Sequence, residues 1–357
     1  MSLVSAFQAF PGADWHGDDT TRYYEKAFNP IIGTTVNNLM PDIITLGELL
    51  IDFVSTTSGV SLAGAEAFKK APGGAPANVA AALAKLGVSS GFMGMVGEDA
   101  FGHFLADTLQ EVGVDISQLC FSSQARTALA FVTLGPDGER EFMFYRHPSA
   151  DMLYAPGDVN TDYIRAARVF HFGSISLIHE PTRSATLYAV RTAQEAGLLV
   201  SYDPNLRLNL WPDAGAARDG MQLGWGFAQL IKVSEEELAF LSGMHDLEGA
   251  ARSLMHQGLR VLVVTHGKEG CTFFTPRSIR KVPGFTVQPV DTTGAGDAFV
   301  AGFLKGMLEH PDADQYEDML EEICRYANAV GALTTCERGA IPALPSAEKV
   351  VQFLERK

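Results

Sequence analysis

From Asp42 onward the chain alternates short apolar, β-branched runs with longer stretches whose apolar residues recur every three or four positions. The runs Ile43–Leu46, Gly91–Val96, Val169–Phe172, Leu198–Asp203, Leu230–Val233 and Arg260–Thr265 predict strands. Ala77–Leu86, Phe101–Val112, Thr182–Ala196, Glu235–Leu241 and Leu247–His256 predict amphipathic helices between and after them. Such alternation predicts an α/β fold: a mainly parallel twisted sheet with helices on both faces. In that architecture ligands bind beyond the carboxyl ends of the strands, so motifs that follow strands matter most. Two segments, about 53–71 and 122–154, break the alternation and read as extended polar–apolar pieces. They are expected to pair into a small β-sheet lid, which would keep water from a reaction.

Composition narrows the picture. The 357 residues are 46% apolar and 19% charged, an ordinary globular balance, and are read as one domain over residues 41–357. Residues 1–40 are polar and aperiodic, lack the plan of a secretion signal, and are read as an N-terminal extension with no assigned role. The net charge of −15 argues against nucleic-acid and membrane-surface partners. No apolar run approaches the roughly 20 residues a membrane span needs. Cys120, Cys271, Cys324 and Cys336 form no C-x-x-C pair, so reduced thiols and a cytoplasmic location are expected.

The segment with most chemical content is Asp291-Thr292-Thr293-Gly294-Ala295-Gly296-Asp297, which runs into the apolar stretch Ala298–Leu308. A glycine turn that opens a helix makes an anion site, because the first N–H groups lack intrahelical partners and the helix dipole favours negative charge. Asp297 places a carboxylate at the same mouth; its plainer reading is a capping residue. Neither G-x-G-x-x-G nor G-x-x-x-x-G-K-[ST] occurs, which weakens the dinucleotide-oxidoreductase and P-loop readings. In Gly73-Gly74-Ala75-Pro76-Ala77-Asn78, two glycines and a proline open a second helix. Asn78 there either satisfies backbone groups or recognises hydroxyls, since an amide both donates and accepts. Asp52 is a turn former or a hydroxyl ligand, and Arg146 and Arg207 are further polar groups near strand ends. Ser234-Glu235-Glu236-Glu237 reads as a capping box, and Thr265-His266-Gly267-Lys268-Glu269-Gly270 as a glycine turn after a strand. The histidines show no metal-ligand spacing and no G-x-S-x-G element occurs.

Taken together, Gly73–Ala80 and Asp291–Leu304 resemble the two signatures of the ribokinase-like (PfkB) carbohydrate kinases, and the resemblance extends over Pro41–Pro345. It implies ATP-dependent phosphorylation of a sugar hydroxyl, with Asp297 as general base and the N–H groups of Gly294, Ala295 and Gly296 as the anion hole. Asp52, Gly74 and Asn78, with Arg146 and Arg207, would bind substrate. Thr265, Gly267, Gly270 and Asn328 match the nucleotide side. Glu237 would serve Mg²⁺, with Ser234 where the family often has Asn. Asp291, Thr293 and the turn around Gly339 match a monovalent-cation site, with K⁺ as the expected ion. Glu141–Arg146, Pro148–Asp151, Gly173–Ile178 and Ser201–Arg207 look most like fructokinases. The alternative within the family is a 2-keto-3-deoxygluconate kinase, because both arginines could meet a carboxylate. A non-catalytic sugar-binding relative is the alternative from another class, and an exposed lid sheet suggests a homodimer.

Overall fold

A computed structural model describes residues 40–134 and 140–356. The expectation for residues 1–40 falls, Met40 apart, outside them, as does the stretch 135–139 of the second lid segment. In chain order the strands are β1 Ile43–Leu46, β2 Leu50–Ser55, β3 Phe68–Gly73, β4 Ser90–Gly97, β5 Asp115–Ser122, β6 Leu129–Leu134 and β7 Arg140–Tyr145. They continue as β8 Val169–Gly173, β9 Leu199–Asp203, β10 Leu230–Ser234, β11 Val261–Thr265, β12 Gly270–Phe274 and β13 Ile279–Pro283.

Nine strands form one sheet in the order β13-β12-β11-β10-β9-β8-β1-β4-β5. Every neighbour from β11 to β5 is parallel, and β12 and β13 are added antiparallel. Successive residues of a strand feed opposite faces. Val261 and Val263 of β11 enter one core cluster, Leu262 and Val264 the other. All four are fully buried, as expected of a strand covered on both sides. The first cluster takes residues from α1 Ala75–Lys85 and α2 Ala100–Glu111. The second is covered by α3 Thr161–Arg165, α4 Thr182–Glu195, α5 Ala214–Trp225, α6 Glu235–Ser242 and α7 Leu247–Leu254. The chain then returns to the first face with α8 Ala295–Glu309, α9 Glu317–Thr334 and α10 Ala347–Leu354. From β1 the chain proceeds outward through β4 and β5, then crosses back to β8 on the other side of β1. The crevice this switch leaves at the carboxyl ends of the strands is where ligands bind in such sheets.

The predicted strands are all present, with ends shifted by a residue or so. β5, β12 and β13 are additional. β5 is an edge strand with a half-polar pattern, so it lacks the apolar run that marks the central strands. The small sheet is present in the order β3-β2-β6-β7, but it is mixed: β2 pairs parallel with β6 and each flanking pair is antiparallel. Its limits differ from the expected segments. Ser122 ends β5 of the large sheet, while Ala150 and Tyr154 are packed into the main core. Polar–apolar alternation marks a half-buried strand without saying which sheet it joins. Among the described residues no helix is long and apolar enough to cross a membrane, and all four cysteines are free.

Candidate active site

A cleft of about 830 Å³ lies between the small sheet and the carboxyl ends of the large one. Its lining joins the two glycine segments, which are more than 200 positions apart in sequence. Gly294 opens α8 in a left-handed conformation (φ 76°), and a Cβ there would sit 2.8 Å from that of Ala340. That geometry favours glycine and sets the start of α8 in the cleft wall, which Gly294, Gly296 and Asp297 line, with Ala295 N–H donating to the Thr292 carbonyl at 3.4 Å. Asp297 is in the first turn of this helix, 7% exposed. Gly74 opens α1 at φ 108°, with its would-be Cβ 2.3 Å from the Glu48 carbonyl oxygen. One turn further, the Asn78 amide donates to Asp297 Oδ2 at 2.8 Å. Among the described residues Asn78 Oδ1 has no partner. The alternative for Asn78 of satisfying backbone groups is therefore not what the side chain does.

Burial raises the Asp297 carboxyl to about 6; the Asn78 bond and the charges of Lys232 and Arg207 pull it down, and Asp203 pushes it up. A carboxyl in that range is still largely ionised at neutral pH, which suits a general base. Lys232 stands opposite. Its ammonium pairs with Asp203 Oδ2 at 3.0 Å and lies 3.2 Å from the point a Cβ on Gly296 would occupy. Burial draws its pKa down, but Asp203 and Glu237 outweigh that and hold it above the ordinary lysine value. The result is a fixed cation over the glycine turn.

Glu237 closes this side. The predicted capping box is formed: Ser234 Oγ accepts from Glu237 N–H at 3.2 Å, and Ser234 N–H donates to Glu237 Oε2 at 2.8 Å. Glu237 Oε1 also accepts from Leu206 N–H at 2.6 Å. Burial raises its pKa against the pull of Lys232. A smaller cavity of about 480 Å³ opens beside Lys232, Ser234 and Glu237. Asp291 Oδ1 accepts from Thr293 N–H at 2.9 Å, and its Oδ2 accepts from Gly339 N–H at 3.0 Å, so these three expected residues are drawn into one turn cluster.

Asp52 lies within β2 of the small sheet, not in a turn, and its carboxylate folds over Gly73 in the cleft wall. Arg207 also lines the cleft, 5.7 Å above the Phe142 ring of the small sheet. Arg146 does not. It is 6% exposed and ion-paired with Asp151, whose other oxygen is held by Ser149. A guanidinium this deep needs such a counter-charge, so Arg146 supports the wall rather than lining it. Thr265 ends β11, Gly267 sits in the turn that follows and Gly270 begins β12, and none of the three is in the cleft lining. A Cβ at Gly270 (φ 99°) would sit 2.2 Å from the Val282 carbonyl oxygen. The Asn328 amide donates to the carbonyls of Val282 and Pro283 at 3.3 and 3.2 Å, which ties α9 to the same segment.

Sequence reading missed Lys232, Asp203, Asn205, whose Nδ2 lies 3.3 Å from Asp297 Oδ1, and Glu48, whose Oε1 accepts from Ala75 N–H at 2.9 Å in the cleft wall. Lys232 did carry a signal: a lysine inside the apolar run Leu230–Val233 must find a partner if the strand is buried.

The model of the pfkB family of carbohydrate kinases matches residues 40–347. Fructokinase-2 of Solanum lycopersicum is 52% identical over 314 residues, covering 88% of this chain and 96% of that relative. The structure of a fructokinase from Xylella fastidiosa with bound ATP superposes with a TM-score of 0.82 at 35% identity, covering 88% of this chain and 99% of that one. The fructokinase of Vibrio cholerae O395, solved with fructose, ADP and calcium ion, gives 0.80 at 36% identity, with the same coverages. This chain belongs to the pfkB family of carbohydrate kinases.

Proposed function

We propose that the chain transfers the γ-phosphoryl group of ATP to the C6 hydroxyl of D-fructose, with Asp297 as general base. The observation that carries this reading is the buried Asp297 carboxylate at the mouth of the glycine turn, with Lys232 held over Gly296. Phosphoryl transfer is catalysed mainly by positioning and charge stabilisation. Asp297 would accept the hydroxyl proton. The N–H groups of Gly294, Ala295 and Gly296, with Lys232, would hold the charge on the transferring group. Asp52, Gly74 and the unpartnered Asn78 Oδ1 would meet sugar hydroxyls, and Arg207 would close the cleft against the lid.

The residues present fit a divalent cation carried with the nucleotide: Glu237 offers carboxylate oxygens, a donor set that suits Mg²⁺. When bound, that ion supplies charge neutralisation on the phosphate oxygens. Asp291 and the Thr293 carbonyl, with the Gly339 turn, likewise offer oxygen donors for K⁺, which would steady the glycine turn. Thr265, Gly267, Gly270 and Asn328 would border the nucleotide at the far end. The burial of Arg146 against Asp151 weakens the keto-deoxy acid reading, because it leaves Arg207 to face the cleft from that pair.

Steady-state ADP release with Mg²⁺-ATP and K⁺ tests the reading. kcat/KM is expected to be highest for fructose among fructose, 2-keto-3-deoxygluconate, ribose and adenosine. Preference for the acid would reassign the sugar, and sugar binding without turnover would leave a non-catalytic protein. The proposed homodimer would form on the lid, where β7 presents Met143 and Tyr145, 42% and 58% exposed. Sedimentation equilibrium should give twice the chain mass, shifting toward the monomer in Tyr145→Asp; a monomeric wild type removes the dimer.

A further inference from the structure

Asn205 has the one positive φ (47°) of any non-glycine among the described residues. Left-handed backbone is unfavourable for an L-residue, least so for Asn, and such outliers persist where the surroundings hold them. Here three contacts do so. Asn205 N–H donates to Asp203 Oδ1 at 3.1 Å, Leu206 N–H donates to Glu237 Oε1 at 2.6 Å, and the Pro204 carbonyl accepts from Ser174 N–H at 3.3 Å. The same Asp203 carboxylate holds Lys232. What this turn achieves is visible at its side chain: Asn205 Nδ2 points at Asp297 Oδ1, 3.3 Å away, on the oxygen that Asn78 leaves open. Asn205 also lines both the main cleft and the smaller cavity beside Glu237.

Resting on the kinase reading above, we propose that Asn205 is a positioning residue for the general base. The turn that Asp203 and Glu237 lock aims its amide at Asp297, and the two amides, Asn78 and Asn205, fix the plane of the carboxylate. Each oxygen keeps a lone pair for the incoming hydroxyl. The amide also favours the ionised form, because it donates to the charged state. The 3.3 Å separation is long, as catalytic hydrogen bonds often are before substrate tightens them. The link has a second consequence. The acids that anchor the turn also surround Lys232, so the phosphate side and the base are mechanically joined through residues 203–207.

The discriminating variant is Asn205→Gly, which removes the amide yet accepts the left-handed backbone without strain. kcat is expected to fall about ten- to hundredfold, in line with the cost of misplacing a reacting group by about 1 Å. KM for ATP and for fructose should stay within about threefold of wild type. Besides burial and the Asn205 amide itself, four groups act on the Asp297 carboxyl: Asn78 of α1, Asp203 of β9, Lys232 of β10 and Arg207 of the intervening turn. All four remain in the variant. The acid limb of kcat should therefore move upward, through loss of one donated hydrogen bond. The same titration can be read without turnover, from the carboxyl carbon of ¹³C-labelled Asp297, identified as the signal missing in Asp297→Asn. An upward shift there supports the proposal even if wild type does not use fructose, in which case only the substrate reading falls. A variant with wild-type kcat and an unmoved Asp297 signal overturns the proposal and leaves the kinase reading standing.

Discussion

Asp297→Asn is expected to lower kcat by about 10² to 10⁴, the range a positioned general base contributes, with KM for both substrates little changed. The same substitution is expected to make the protein more stable at neutral pH. Burial raises the carboxyl from 3.8 to about 6, so the unfolded chain gives up this proton more readily than the folded one. Native stability therefore declines as pH rises from about 4 to about 6, and the cost is fully present above that. A rise of this size corresponds to roughly 3 kcal/mol, at about 1.4 kcal/mol per pH unit. Asn is close to isosteric and can still accept from Asn78, while its NH2 then faces the Asn205 amide, so part of this should return as a higher melting temperature. Calorimetry should show the two proteins alike near pH 4 and diverging up to about pH 6. A variant that keeps its kcat removes Asp297 as base. Equal melting temperatures at pH 7.5 would mean that Lys232, Arg207 and Asn78 already offset the burial of the charge.

Lys232→Met is expected to damage both activity and stability. Loss of a cation over the glycine turn should lower kcat by about 10² to 10³, as loss of a single anion-hole donor does. It also strands Asp203 and Glu237 beside each other, both buried. Breaking a buried ion pair from one side costs about 3–5 kcal/mol. The double variant Lys232→Met/Asp203→Asn separates the effects: removing the stranded charge should restore part of the stability and none of the rate. Should the single variant keep kcat within about threefold, Lys232 is a structural counter-ion only, and the anion hole rests on backbone N–H groups.

Much of the architecture was legible in sequence because the central strands are covered on both faces. Full coverage forces runs such as Val261–Val264 to be apolar throughout, and glycine turns punctuate them. Edge elements such as β5 face water on one side and lose that signature. The two glycine segments were legible for a steric reason: at Gly74 and Gly294 any side chain would meet backbone or a neighbouring methyl at under 3 Å. Asp297 was found through its place in the first turn of a helix, a local property.

Sequence by itself thus determined the strand–helix order, the positions where only glycine fits, and the carboxylate at the mouth of α8. These follow from local sterics and hydrophobic periodicity, which act over a few residues. Tertiary structure alone decided which charged groups meet. Arg146 and Arg207 are alike in sequence, yet one is buried against Asp151 and the other lines the cleft. Asn78, Asn205 and Lys232 converge on the α8 glycine turn from three separate elements, Asn78 from 219 positions before Asp297. A buried charge is tolerated only where a partner lies within a few ångströms, and that distance is set by the packing of the sheet, not by any spacing along the chain.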